Sequence, residues 1–329
     1  MEQRSLRAKV IEYRQDLAEP RQPYILSRLT SAQRRREAAR NELMVAKILA
    51  GETCSNLVHT LASRRHTSQS GIVQQALVQE YCEGQSLGHC LRSGSMYGDL
   101  MHSASLQQLR QLRLCRQIAN GLNFLHSRGI LHLDIKAANV LLRSEGEIKG
   151  PHPSSLAHPL LPPWYTAKIG DFGLAVIVPT GKTSVDVGMR GTLTHMAPEL
   201  LVTDSQARLA SAASDMYAFG TLIWEVVHEQ APCRGMDART ICAKTLAGEV
   251  PEFDPHRVVH WKLRSIAENA WQRLPHDRIT LEDTNGRIDA AWSEVAEHLN
   301  HVAESNEDAN QPIDVALASK RKRGGSDPF

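Results

Sequence analysis

Apolar side chains recur at three- and four-residue steps through Leu106, Leu109, Leu112, Cys115, Ile118, Ala119, Leu122 and Leu125. That spacing lines one face of a long helix and predicts that the face is buried. The stripe stops at Ser127-Arg128-Gly129, where a glycine suits a helix C-cap. A more continuous apolar stretch, Ser214 to Val227, predicts a second buried helix, and helical patterns run on to about Leu299. Upstream the character differs. Leu6 to Tyr13 reads as a short strand, Pro20 and Pro23 interrupt the chain after it, and Ser31 to Ala50 is rich in helix formers, carrying apolar Leu43, Ala46 and Leu49. Two more strands are expected around Leu57 to Leu61 and Gln75 to Tyr81, with a polar loop between them. Gly146, Gly150, Pro151, Pro153, Pro159, Pro162 and Pro163 crowd the segment from Arg143 to Pro163, which reads as a surface insertion between two strands. From His301 to Phe329 the chain is polar and aperiodic, and a disordered tail is expected.

With 329 residues the chain can bury the core of one two-lobed domain or of two modest ones. A net charge of +2 gives no reason to expect nucleic acid or an acidic membrane surface as partner. Cys54, Cys82, Cys90, Cys115, Cys233 and Cys242 are scattered without a C-x-x-C pair, which argues against a zinc site or a disulfide framework and suits a reducing compartment. The N-terminal Met1-Glu2-Gln3-Arg4 is polar, unlike a signal peptide. The longest apolar run, near Met216 to Val227, contains Glu225 and is too short to span a bilayer. A soluble, cytoplasmic protein is expected, with Lys320-Arg321-Lys322-Arg323 a candidate nuclear-import signal or simply a solvated basic tail.

Chemistry enters with His132-Leu133-Asp134-Ile135-Lys136-Ala137-Ala138-Asn139-Val140-Leu141-Leu142, followed downstream by Asp171-Phe172-Gly173. A carboxylate, a lysine two residues on and an asparagine three beyond that suit phosphoryl transfer. These spacings resemble the protein-kinase signature, which implies that the carboxylate orients a hydroxyl, the lysine neutralises phosphate charge, and the asparagine and second aspartate hold Mg²⁺. Each word alone occurs by chance; both at this separation are specific.

With these motifs the chain resembles the eukaryotic protein kinases of serine/threonine type, from about Leu6 to about Leu299 and most clearly from Asn56 onward. The resemblance implies an α+β, two-lobed kinase fold with a truncated β-rich N-lobe and a mainly helical C-lobe. Its expected divisions are a partial N-lobe and hinge over 1–82, a C-lobe over 83–299 with the insertion at about 143–163, and the basic tail over 300–329. It implies transfer of the γ-phosphate of ATP, with Mg²⁺, to a protein substrate in signalling, and leaves room for a regulatory protein partner. Asp134 matches the base, Lys136 the lysine on the transferred phosphate, and Asn139 and Asp171 the metal ligands. In Gly191-Thr192-Leu193-Thr194-His195-Met196-Ala197-Pro198-Glu199, Thr192 matches the threonine that hydrogen-bonds base and lysine. Asp215 matches the aspartate that anchors the catalytic loop, and Arg278 the arginine that pairs with Glu199. Gln79 would be the gatekeeper, the backbone of Glu80 and Cys82 would bond adenine, and Leu141 would pack beneath the ring. The wording around Ala218–Glu225 and Pro232–Gly235 most resembles the tyrosine-kinase-like, Raf-like group.

Departures from the pattern matter too. No G-x-G-x-x-G occurs anywhere in the chain, and glycine is what lets backbone N–H groups approach phosphate. Gly181-Lys182-Thr183 lacks the upstream glycine of a P-loop, because position 176 is Val176. In Leu6-Arg7-Ala8-Lys9-Val10-Ile11, Lys9 is the candidate for the lysine that holds the α/β-phosphates; Val45-Ala46-Lys47-Ile48 is closer as a word but lies too near Asn56-Leu57-Val58. Glu42 is the expected partner of Lys9, with Glu37 as fallback, while either acid could instead pair with the neighbouring arginines. If Lys9 is right, the chain begins at the third strand of the small lobe. Leu133 replaces the arginine that reads a phosphorylated activation loop, so phosphorylation at Thr180, Thr183 or Ser184 is not expected to be a strict on-switch. His195 stands where a tyrosine is usual, which bears on the substrate pocket. Against the kinase stands a pseudokinase or scaffold, favoured by the missing glycine loop and Arg7. A small-molecule kinase is disfavoured by the Ala197-Pro198-Glu199 segment.

Overall fold

A computed structural model describes residues 6–14, 31–67, 69, 72–94, 103–144, 165–202 and 207–308. The N-terminal part holds β1 (Leu6–Arg14), α1 (Ser31–Ile48), β2 (Thr60–Thr67) and β3 (Ile72–Glu80). The strands form one antiparallel sheet in the order β1-β3-β2, with Lys9 opposite Leu77 and Arg64 opposite Ala76. β2 is an edge strand. Its Arg64, Arg65 and His66 are exposed, and charge on an edge discourages further strand pairing.

The strand expected at Leu57 to Leu61 is displaced, beginning at Thr60. Leu57 and Val58 are apolar because they are buried at the junction with the larger part, not because they belong to a sheet ladder. Leu57 makes a lone parallel bridge to Ile169, the Val58 N–H donates to the Ile169 carbonyl at 2.9 Å, and the Ile169 N–H donates to the Asn56 carbonyl at 2.8 Å.

The larger part comprises α2 (Leu87–Arg92), α3 (Ala104–His126), β4 (Ile130–Leu131), β5 (Val140–Ser144), β6 (Tyr165–Ile169), β7 (Val176–Ile177), β8 (Ser184–Asp186) and β9 (Leu209–Ser211). It continues through α4 (Ala212–His228), α5 (Ala238–Ala247), α6 (Trp261–Ala270) and α7 (Leu281–Asp308). Ser103 opens α3 by accepting the Leu106 N–H, and Leu109, Leu112, Cys115, Ile118, Ala119, Leu122 and Leu125 are all fully buried, as the periodicity predicts. α3 packs on α7 and α4 packs on α6, so α4 is enclosed and its Phe219, Leu222, Ile223 and Val226 have no exposed surface. At Gly121 a Cβ would lie 2.8 Å from the Asn56 carbonyl, so glycine is what lets α3 approach the inter-lobe chain.

β5 and β6 pair antiparallel from Val140 opposite Ile169 to Ser144 opposite Tyr165. The insertion expected between them lies outside the described residues, as do residues 309–329. α7 runs to Asp308, beyond the boundary expected at Leu299, because helix formers such as Ala303 and Glu304 continue the pattern. No helix among the described residues is long and apolar enough to cross a membrane.

Candidate active site

The loop between β4 and β5 carries Asp134, Lys136 and Asn139, and α4 shapes it from below. Asp215, fully buried in the first turn of α4, accepts the His132 N–H at 2.9 Å and the Leu133 N–H at 2.8 Å, and its Oδ2 lies 2.8 Å from His126 Nε2. Burial works to raise its pKa, but the hydrogen bond and charge of His126, with His132, outweigh it and hold the carboxyl below its ordinary range. These bonds hold Leu133 at φ 60°, a conformation a leucine seldom adopts. Downstream in α4, the Glu225 carboxylate accepts the Ala137 N–H at 2.7 Å and meets His195 Nε2 at 3.1 Å. Glu225 had one signal in the sequence, a carboxylate inside the apolar run from Met216 to Val227, and such groups are kept only when paired.

On this support, Asp134, Lys136 and Thr192 come together. The Thr192 hydroxyl donates to Asp134 Oδ1 at 2.6 Å, Lys136 Nζ donates to Thr192 Oγ1 at 2.6 Å, and Lys136 Nζ lies 2.8 Å from Asp134 Oδ2. Asn139 Nδ2 donates to the Asp134 carbonyl at 2.8 Å and to its Oδ2 at 2.7 Å. Burial pushes the Asp134 pKa up, yet the bonds from Lys136, Thr192 and Asn139 prevail and keep it below its usual value. The carboxylate is therefore held ionised and fixed in place.

Asp171, at φ 61° and exposed, opens the turn after β6, and Phe172 behind it is buried edge-on against His132, with ring centroids 5.5 Å apart. His132 Nε2 lies 3.0 Å from the Gly170 carbonyl, tying the two motifs together. Asn41 on α1 donates to the Gly173 carbonyl at 2.9 Å, so α1 is docked on this turn. Asn139 and Asp171 offer an amide and a carboxylate oxygen, a donor chemistry that fits a hard cation sharing its remaining positions with phosphate and water. The described residues contain no group of three or more His, Cys, Asp or Glu able to form a metal cage.

Glu42 is buried on α1, but the side chain of Lys9 lies outside the described residues, so that expected pair is not on view. The fallback Glu37 is engaged elsewhere, 2.9 Å from Arg190. At the hinge, Gln79 Nε2 donates to Thr60 Oγ1 at 3.3 Å, Cys82 is buried with its thiol pKa pushed up to about 11 by burial, and Leu141 is half-buried beside Ser86. The Glu80 side chain does what no motif announced. Its carboxylate lies 3.0 Å from Lys168 and from Arg143 and accepts the His59 N–H at 2.8 Å, joining the hinge to the hairpin that leads into Asp171.

Glu199 and Arg278 form the expected pair, in two-pronged geometry at 2.8 and 2.7 Å, and Arg278 also donates to the carbonyls of Gln272, Ala213 and Arg273. A pocket beside Asp134 is lined by Leu133, Thr192, His195, Met196 and Leu200. His195 is buried at its edge and turned to Glu225.

Residues 15–288 match the family described as protein tyrosine and serine/threonine kinase. Rat receptor-interacting serine/threonine-protein kinase 3 is 29% identical over 300 residues, 83% of this chain and 58% of that protein. The serine/threonine-protein kinase mos of Xenopus laevis is 30% identical over 192 residues, 54% of this chain and 46% of that protein. The Drosophila melanogaster mitogen-activated protein kinase kinase kinase is 30% identical over 210 residues, 61% of this chain and 15% of that protein. The chain thus spans about half the length of the first two relatives. Sequence match and site geometry agree, and the chain belongs to the protein tyrosine and serine/threonine kinase family.

Proposed function

We propose that this protein is a serine/threonine kinase of the tyrosine-kinase-like, Raf-like group, transferring the γ-phosphate of ATP to protein hydroxyls. The observation that carries the reading is the closed ring of Asp134, Lys136 and Thr192 with Asn139 bonded to its base. Asp134 would orient the acceptor hydroxyl and take its proton as oxygen attacks the γ-phosphorus and the bond to the leaving ADP oxygen breaks. Lys136 would neutralise the charge on the transferring group, while Thr192 keeps Asp134 aimed. Asn139 and Asp171 would hold Mg²⁺, which when bound neutralises phosphate charge. The group assignment is supported by the wording of α4 and by likeness to rat receptor-interacting serine/threonine-protein kinase 3 and the Drosophila mitogen-activated protein kinase kinase kinase.

The absence of a G-x-G-x-x-G loop favours a non-catalytic scaffold, but a scaffold has no physical need for four polar side chains held in this arrangement. Calorimetric titration with Mg²⁺-ATP, followed by phosphoamino-acid analysis of a generic protein substrate, separates the two. Binding with phosphoserine or phosphothreonine formed is expected; binding without transfer under any condition would favour the scaffold.

A further inference from the structure

Leu133 occupies the position from which an arginine would read a phosphate, and it is buried. It packs with Leu131, Val187, Met196, Leu200 and Ala210 in a small apolar core under the activation segment. The segment presses onto it so closely that a Cβ at Gly191 would lie 2.7 Å from the Leu133 carbonyl. Such a core offers a phosphate no cation and only the cost of desolvation.

The cation is found on the segment itself. Arg190 directly precedes Gly191-Thr192, and its side chain is 8% exposed. Nη2 lies 2.9 Å from Glu37 Oε1 on α1, and Nη1 reaches the Leu174 carbonyl at 3.4 Å, just past Asp171-Phe172-Gly173. One guanidinium thus joins the chain leading to Thr192, the turn after Asp171, and the helix that carries Asn41 and Glu42. Burial works against its charge and the Glu37 carboxylate supports it. Among the described residues its Nε has no acceptor, and its ion pair is with Glu37. Earlier in the segment, β8 pairs with β9, and the Arg208 N–H donates to Asp186 Oδ1 at 3.2 Å, so that stretch is fastened to the entrance of α4.

We propose that Arg190 is a positioning residue, and that its pairing with Glu37 holds the activation segment and α1 together in the arrangement a phosphorylated residue and a catalytic-loop arginine would otherwise impose. A permanent carboxylate on the helix stands in for the phosphate, and the arginine has moved from the loop to the segment. The inference rests on the kinase reading of the site. It makes the protein constitutively set, with no phosphorylation of its own segment required.

The test compares phosphatase-treated wild type with R190Q, R190K, E37Q and the reversed pair R190E/E37R, measuring kcat and KM for ATP and peptide. Amide hydrogen exchange over residues 184–196 is followed in parallel. Wild type should keep its activity after phosphatase treatment. R190Q and E37Q should each lower kcat by about 2- to 30-fold, the span typical of residues that couple elements, with faster exchange in the segment, R190K should lose less, and the reversed pair should recover. Glu37 is partly exposed, so E37Q tests the pair even if Arg190 variants fold poorly. Unchanged kcat and unchanged exchange in E37Q and R190Q would overturn the proposal, as would wild-type activity lost on dephosphorylation and regained on rephosphorylation. An inactive wild type would count against the kinase reading alone, because the exchange measurement still reports on the strut.

Discussion

Replacing Asp215 with Ala should harm the protein twice, once through stability and again through catalysis. The carboxylate accepts two backbone N–H groups, from His132 and Leu133, in a fully buried setting where water cannot take its place. A buried donor left unsatisfied costs about 1–3 kcal/mol, so losing both acceptors costs about 2–6 kcal/mol. Whole domains are stable by only about 5–15 kcal/mol. At about 2–4 °C per kcal/mol the melting temperature should fall by roughly 4–24 °C. The same two bonds hold Leu133 at φ 60° one residue before Asp134, a conformation that leucine seldom adopts without such support. Asp134 then loses its aim, and transfer should drop further than the unfolded fraction accounts for. The carboxyl is held below its ordinary pKa, so its stabilisation is complete above about pH 3.9 and is lost as pH falls through the lower, folded-state value. Thermal melts of wild type, D215A and D215N across pH 3–7, with single-turnover transfer at neutral pH, measure all of this. Equal melting temperatures and equal turnover in D215A and wild type would refute the reasoning.

Removing Arg278 leaves the Glu199 carboxylate without its two-pronged partner, and R278A should lose about 3–5 kcal/mol in denaturant titrations, with R278K only partly better. K136M removes the hydrogen bond and charge that oppose burial at Asp134; its pKa should rise, so the acid limb of the pH–kcat/KM profile should move to higher pH, and an unmoved limb would reject that role. Alanine at Thr180, Thr183 and Ser184 together should leave transfer within about twofold, as for ordinary surface changes, and abolished activity would contradict it.

Local chemistry was largely legible in the sequence. Asp134, Lys136 and Asn139 stand in a word whose spacing suits phosphoryl transfer, the family resemblance adds Thr192, and the structure brings the four side chains together beside the α3 stripe's buried face. Contacts between distant words were not. Glu80 with Lys168, Arg190 with Glu37, and Glu225 with Ala137 join segments far apart in the chain, and no periodicity announces which charges will meet. Leu57-Val58 misled for a related reason: apolar residues buried at an inter-lobe junction look like a strand when only their own neighbours are read. His195 shows the converse, since a departure from the usual tyrosine proved to be a buried hydrogen-bonded side chain facing Glu225.

The central claim is that Asp134 serves phosphoryl transfer from ATP to a protein hydroxyl. Wild type and D134N should bind Mg²⁺-ATP alike, and wild type should deposit labelled γ-phosphate on serine or threonine of a generic substrate. D134N should be slower by about 10²- to 10⁴-fold, the usual worth of a positioned base. Transfer of equal rate from D134N, or none from wild type that binds nucleotide, would contradict the account.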